Sequence, residues 1–256
     1  AWPNGRVVVA PAWQEGVLLV DLEQPDKCKW VGMDSSDALS IGNDEIKFLA
    51  SESDGHEDSA SLIEDITDAV ITGLADYCRK SGIKKIVLGL SGGIDSAVAA
   101  CVACAAVGSN NVLGIAMPSR FSSQHSLDDA QYTANSLGME FKIQSIDDMH
   151  STLESQISSV LENGNPVASE NIQSRLRGII VMAHANAQNR MAIATGNKSE
   201  LAQGYCTLYG DMAGGYTPLG DLYKMQVYAL AEIFNQRAIA IGQAPPVNQS
   251  TLTKPP

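Results

Sequence analysis

Leu62, Ile63, Ile66, Val70, Leu74 and Tyr77 return every three or four positions, the spacing of one helix face, until Gly82 ends the pattern. Ser61-Leu62-Ile63-Glu64 has the form of a capping box at the start of that helix. Beyond it the period alternates. The pattern predicts strands over 85–90, 111–117 and 139–146, with helices over 95–107 and about 123–137 between them. Helical spacing follows over about 148–162 and 170–188, then a strand at Arg190–Thr195 and a last helix over about 224–241. This is a repeated βαβ pattern. Right-handed crossovers make it an α/β fold, a parallel sheet with helices on both faces and ligands at the carboxyl ends of its strands. Upstream, the apolar runs Arg6–Ala10 and Gly16–Asp21 read as two strands. The polar, acidic stretch Ser51–Asp58 reads as a linker ending near residue 60.

The chain has 256 residues, 45% of them hydrophobic, enough for a large core, and a formal net charge of −12 that argues against nucleic acid as the main partner. Five cysteines without paired spacing point to a reducing compartment. Cys101-x-x-Cys104 has the spacing of a redox or zinc pair, but it falls inside an apolar helix without a second ligand pair and reads as two small buried residues. Cys28, between two lysines, reads as surface. No run approaches the roughly 18 apolar residues of a membrane span, so no membrane partner and a soluble, cytoplasmic protein are expected. Ala1 and the unfinished-looking Thr251–Pro256 suggest that both ends were trimmed from something longer.

The strongest chemical signal is Gly89-Leu90-Ser91-Gly92-Gly93-Ile94-Asp95-Ser96, a strand running into a glycine turn that opens a helix. Glycines let backbone approach a ligand closely, and the N–H groups of Ser91, Gly93, Ile94 and Asp95 would meet an anion at a helix N-terminus. The same residues also fit a plain turn. The Walker loop is excluded, because its Gly-Lys-Ser/Thr ending is absent. Asp95 would repel phosphates unless a hard divalent cation, Mg²⁺, lay between them.

Further polar clusters fall where the topology puts a site. Thr195-Gly196-Asn197-Lys198-Ser199-Glu200 follows a strand. Thr195 and Asn197 read either as helix caps or as nucleotide contacts, while Glu200 offers a second carboxylate for the cation bound by Asp95. Tyr209–Pro218 is too glycine-rich for a helix or strand interior, and Lys224 opens the next helix. Asn171 and Arg175, four apart, share a helix face that suits a phosphate, ribose or carboxylate and equally suits a solvated stripe. The four histidines, His56, His125, His150 and His184, are scattered, and no Ser/His/Asp set is evident.

The glycine segment resembles the SGGxDS loop of the N-type ATP pyrophosphatases. With the second-half clusters, the resemblance narrows to the NAD synthetase family over about residue 60 to the end. It implies an adenine-nucleotide α-hydrolase-like fold and ATP-dependent amidation of deamido-NAD through an adenylate, with Mg²⁺ required and ATP as co-substrate. By the resemblance, Gly89, Leu90, Ser91, Gly92, Gly93, Ile94, Asp95, Ser96, Met117, Thr195 and Lys224 bind ATP. Asn171, Arg175, Glu200 and Asp211 contact deamido-NAD, Asp95 and Glu200 hold the metal, and Asp95, Glu200 and Lys224 serve catalysis. The spelling of the Thr195 and Gly210 segments is similar to the glutamine-dependent branch, so the resemblance implies that residues 1–50 are a remnant of a nitrilase-like amidase domain. Residues 51–60 would be the linker and 61–256 a C-terminally incomplete synthetase domain. Fifty residues are too few for a working amidase. The resemblance also implies a homodimer, and a glutaminase domain in the full-length protein that releases ammonia. Two rival readings remain: another pyrophosphatase of this class, GMP synthetase-like or tRNA-thiolating, and a nucleotide-binding module without turnover.

Overall fold

The structure, a computed structural model, describes residues 7–9, 13, 16–21, 24, 29–33, 39–40, 47–49, 59–162 and 164–254. The chain divides into two compact units, Ala1–Leu62 and Ile63–Pro256. In the first, β1 (Val7–Val9) is paired later in the chain by an antiparallel partner, and β2 (Gly16–Leu19), β3 (Lys29–Met33) and β4 (Leu39–Ser40) form an antiparallel sheet in that order. β5 (Lys47–Leu49) is the partner of β1, with Val7 opposite Leu49. Three strands thus join the two expected from sequence. The acidic stretch 51–58, Cys28 and His56 lie outside the described residues.

The second unit starts on α1 (Ser59–Lys80), whose helix begins two residues before Ser61, so Ser61 is in the first turn and not a cap. Then come β6 (Ile86–Gly89), α2 (Ile94–Val107), β7 (Val112–Ala116), α3 (Gln124–Leu137) and β8 (Glu140–Ile143). The helix expected over 148–162 is broken at Ile157 into α4 (Asp147–Gln156) and α5 (Ser158–Leu161), and the break lets Leu153, Ile157 and Leu161 all pack on the same core cluster. α6 (Val167–Ala187), β9 (Met191–Ala192), α7 (Lys198–Gln203), α8 (Lys224–Ala240) and α9 (Gln249–Thr253) complete it. No helix among the described residues is long and apolar enough to cross a membrane.

All four strands of this unit are parallel, in the order β8-β7-β6-β9. Side chains alternate across the sheet with period two, as a strand requires. Ile86, Leu88 and Val112 enter the cluster shared with α1, α2 and α8, whereas Val87, Leu113 and Ile115 enter the cluster shared with α6. Helices therefore cover both faces. α2 is buried continuously from Ser96 to Cys104, which is why its sequence carries no polar stripe. Burial pushes the Cys104 thiol up to about 11 and the Cys101 thiol above its usual range, as fits small residues packed inside a helix better than a reactive thiolate pair. Strand order reverses at β6: β7 and β8 lie to one side, and the chain returns to add β9 on the other. The crevice between the ends of β6 and β9 is the switch point at which such sheets bind ligands.

Candidate active site

Gly89 ends β6, and the chain turns through Gly92 into α2. Gly92 has φ +79°, and a Cβ on it would lie 2.1 Å from the Ser126 carbonyl oxygen, so only glycine fits this turn. The loop also braces itself. Ser91 N–H donates to Ser96 Oγ at 3.1 Å, and Gly93 N–H donates to Ser91 Oγ at 3.2 Å. Two of the four N–H groups expected to face an anion are thus used internally. Those of Gly92, Ile94 and Asp95 have no partner among the described residues and stand at the positive end of α2.

Three chain segments meet beyond this loop. Asp95 Oδ1 accepts from Asn197 Nδ2 at 2.8 Å, and Asp95 Oδ2 accepts from Lys224 Nζ at 2.5 Å. Asn197 caps α7: its Oδ1 accepts from Glu200 N–H at 3.0 Å while Glu200 Oε2 accepts from Asn197 N–H at 3.1 Å, a reciprocal capping box. Ser199 Oγ accepts from Lys224 N–H at 3.0 Å, tying the start of α8 to α7. Burial pushes the Glu200 carboxyl above its usual range, with the Asp95 and Asp211 charges adding to the effect and the Asn197 N–H and Lys224 opposing it.

Two adjoining cavities open here, of about 640 and 240 Å³, and both are lined by Ser91, Ala194, Thr195 and Asp211. The larger adds Gly89, Leu90, Met117 and Arg177; the smaller adds Asp95, Ser96 and Glu200. Asn171, Arg175 and Lys224 line neither. Asn171 Oδ1 accepts from Thr207 Oγ1 at 2.8 Å, and Arg175, exposed, donates from Nε to the Leu208 carbonyl at 3.3 Å. Both therefore hold the 205–211 loop against α6, as does Ser174, whose Oγ accepts from Asp211 N–H at 3.0 Å. A Cβ on Gly178 would come within 2.9 Å of the Tyr209 and Gly210 carbonyls, so the absence of a side chain lets the loop approach the helix.

Arg177 is the guanidinium that faces the larger cavity. It is half-buried, donates from Nε to the Met117 carbonyl at 3.1 Å, and has no carboxylate partner among the described residues. Desolvation holds its pKa below the usual arginine value. The histidines are not all isolated. His125 Nδ1 is 3.2 Å from Asp129 Oδ2 and its Nε2 is 3.0 Å from Ser250 Oγ, correcting the expectation that no Ser/His/Asp group exists. Ser250 Oγ also donates to Asp129 Oδ2 at 3.1 Å, and Asn248 Nδ2 to Oδ1 at 2.7 Å, so this group fastens α9 to α3 and lines neither cavity.

No cluster of three or more His, Cys, Asp or Glu side chains able to hold a metal occurs among the described residues. Two hard carboxylates, Asp95 and Glu200, line the smaller cavity beside the glycine turn. That suits Mg²⁺, which takes one or two protein carboxylates and completes its shell with substrate phosphates and water.

A parallel sheet covered on both faces, with a glycine turn opening a helix at its switch point, defines an α/β nucleotide-binding protein. The NAD synthase family model matches residues 66–256, and the chain belongs to that family. It is 42% identical to a protein of Rhodobacter capsulatus named glutamine-dependent NAD(+) synthetase, over 99% of this chain and 43% of the relative. Among solved structures, glutamine-dependent NAD+ synthetase from Acinetobacter baumannii in complex with ADP is similar at TM-score 0.73 and 31% identity, covering 89% of this chain and 40% of that one. The NH3-dependent NAD synthetase from Campylobacter jejuni is similar at TM-score 0.62 and 35% identity, covering 68% and 73% of the two chains. The chain thus spans less than half the length of the glutamine-dependent relatives.

Proposed function

We propose that this chain carries out the ATP-dependent amidation of deamido-NAD to NAD, with AMP and pyrophosphate released and ammonia as the nitrogen donor. The observation that carries the reading is the joining of Asp95, Asn197, Glu200 and Lys224 beside the glycine turn, within a family match that spans residues 66–256.

The chemistry follows from what an amide requires. Ammonia cannot displace oxide from a carboxylate in water, so an oxygen of the nicotinate carboxylate first attacks the α-phosphorus of ATP. The bond to pyrophosphate breaks, and its electron pair leaves with pyrophosphate. Ammonia then attacks the activated carbonyl carbon, the C–O bond to AMP breaks, AMP takes that pair, and the new amide nitrogen loses one proton to solvent and keeps two. The N–H groups of Gly92, Ile94 and Asp95, together with Lys224, receive the charge that develops on pyrophosphate. Asp95 and Glu200 would hold Mg²⁺, which would supply charge neutralisation at the phosphates. Met117 and Thr195 contact ATP, and Asn171, Arg175, Glu200 and Asp211 orient deamido-NAD. No covalent nucleophile is needed.

Residues 1–50 we read as the closing strands of a nitrilase-like amidase domain, joined through 51–60 to the synthetase domain. The longer protein would draw ammonia from glutamine, act as a homodimer and work in the cytoplasm. Collinearity with the Rhodobacter protein over nearly the whole chain supports this reading.

The test supplies the purified chain with ATP, Mg²⁺, deamido-NAD and ammonium and follows AMP, pyrophosphate and NAD by chromatography. One NAD per AMP, with neither formed when deamido-NAD is omitted, is expected. AMP release with xanthosine monophosphate or tRNA in place of deamido-NAD would point to another pyrophosphatase, and tight ATP binding without turnover would point to a binding module.

A further inference from the structure

Asn197 has no exposed surface, and its side-chain amide spans two elements that are far apart in sequence. One end accepts from the Glu200 N–H at 3.0 Å, and the other donates to Asp95 Oδ1 at 2.8 Å across 102 residues of chain. Its own N–H holds Glu200 Oε2 at 3.1 Å. The capping box explains the first and third of these contacts, and Ser, Thr or Asp would make them as well. It does not explain the second. Only a side chain that accepts at one end and donates at the other can cap α7 and hold the Asp95 carboxylate at once, which selects the amide over the hydroxyls and the carboxylate.

We infer that Asn197 is a positioning residue that sets the Asp95 carboxylate relative to Glu200 so that both serve one divalent cation. The inference rests on the metal reading given under the proposed function. With Asn197 on one oxygen of Asp95 and Lys224 on the other, the plane of the carboxylate is fixed and a lone pair on each oxygen remains for a ligand. Glu200 is oriented through the same residue. Losing a hydrogen-bond partner that orients a metal-binding group typically lowers metal affinity 10- to 100-fold.

Asn197→Ser separates the two roles, because serine caps about as well as asparagine but is too short to reach Asp95. Asn197→Thr carries the same expectation and serves if the serine variant fails to fold. Titration calorimetry with the α,β-methylene analogue of ATP, in excess Mn²⁺ and in EDTA, gives for each protein the ratio of metal-free to metal-loaded dissociation constants. Asn197→Ser is expected to lower that ratio at least tenfold while leaving the EDTA value near that of the parent chain and the protein folded by circular dichroism. Asp95→Ala should lower the ratio as well, and adding Asn197→Ser to it should change nothing further, since the amide acts through Asp95. A ratio within threefold of the parent for Asn197→Ser, or an equal loss in both backgrounds, would overturn the inference and leave the metal reading standing. An unchanged ratio for Asp95→Ala would overturn the metal reading and the inference with it.

Discussion

The two glycines of the loop are neighbours with opposite tolerances. Gly92 has a left-handed backbone, which costs a residue with a Cβ about 1–2 kcal/mol. The added methyl would also lie 2.1 Å from the Ser126 carbonyl oxygen, a backbone atom in the first turn of α3 that cannot rotate away, and overpacking of that kind costs about 1–3 kcal/mol. Gly92→Ala should therefore lose about 2–5 kcal/mol. Gly93 has φ −86°, and a Cβ there meets only Ser91 Oγ, at 3.3 Å. Replacing a glycine N-cap with alanine costs about 1 kcal/mol or less, so Gly93→Ala should remain near the parent in stability. Urea unfolding followed by circular dichroism at 222 nm reports the second unit, because every helix among the described residues belongs to α1 or follows it, whereas Trp2, Trp13 and Trp30 all lie in the first. Equal midpoints for the two variants, or a lower one for Gly93→Ala, would refute the assignment of Gly92 to the strained, crowded position.

Thiol chemistry tests the packing of α2. With Cys104 pushed up to about 11, roughly one part in a thousand is thiolate at pH 8, so native Cys101 and Cys104 should resist iodoacetamide while Cys206, on the wall of the smaller cavity, reacts and is shielded by Mg²⁺ and ATP. Peptide mass mapping checks this, and comparable labelling of Cys104 would contradict it. Asp129→Ala removes the buried carboxylate that receives Asn248 and Ser250, and should lower stability by about 2–4 kcal/mol in the same urea assay. A loss under ~0.5 kcal/mol would mean that α9 is held by something else. Arg177→Met keeps the side-chain stem but removes the cation from the larger cavity, and should weaken the ATP analogue about tenfold by calorimetry with no loss of stability. Undiminished binding would take Arg177 out of the nucleotide site.

What the sequence made legible and what it did not divide along the reach of the interactions. The β6-turn-α2 segment is readable because its signals follow one another without interruption along the chain: a β-branched run, two glycines and an apolar helix, each acting on its neighbours. The same holds for α7, whose Asn197-x-x-Glu200 box is a helix start in sequence, although a helix of six residues is too short to show a hydrophobic period of its own. β9 shows where local reading stops, because its predicted length included Ile193, which leaves the strand to bridge Tyr216 in the glycine-rich loop. The arginines show it more sharply. Leu176 points into the core, and Arg175 and Arg177 flank it by about 100° on either side, so the hydrophobic pattern treats the two alike. The Met117 carbonyl, 60 residues away at the end of β7, breaks the tie by drawing Arg177 to the cavity, while Arg175 goes to Leu208. Asn197 follows the same rule, since its cap is a local contact and its bond to Asp95 is made across the fold. A residue's role in its own helix can be read from its neighbours in sequence; a second role depends on which distant segment the sheet order brings beside it.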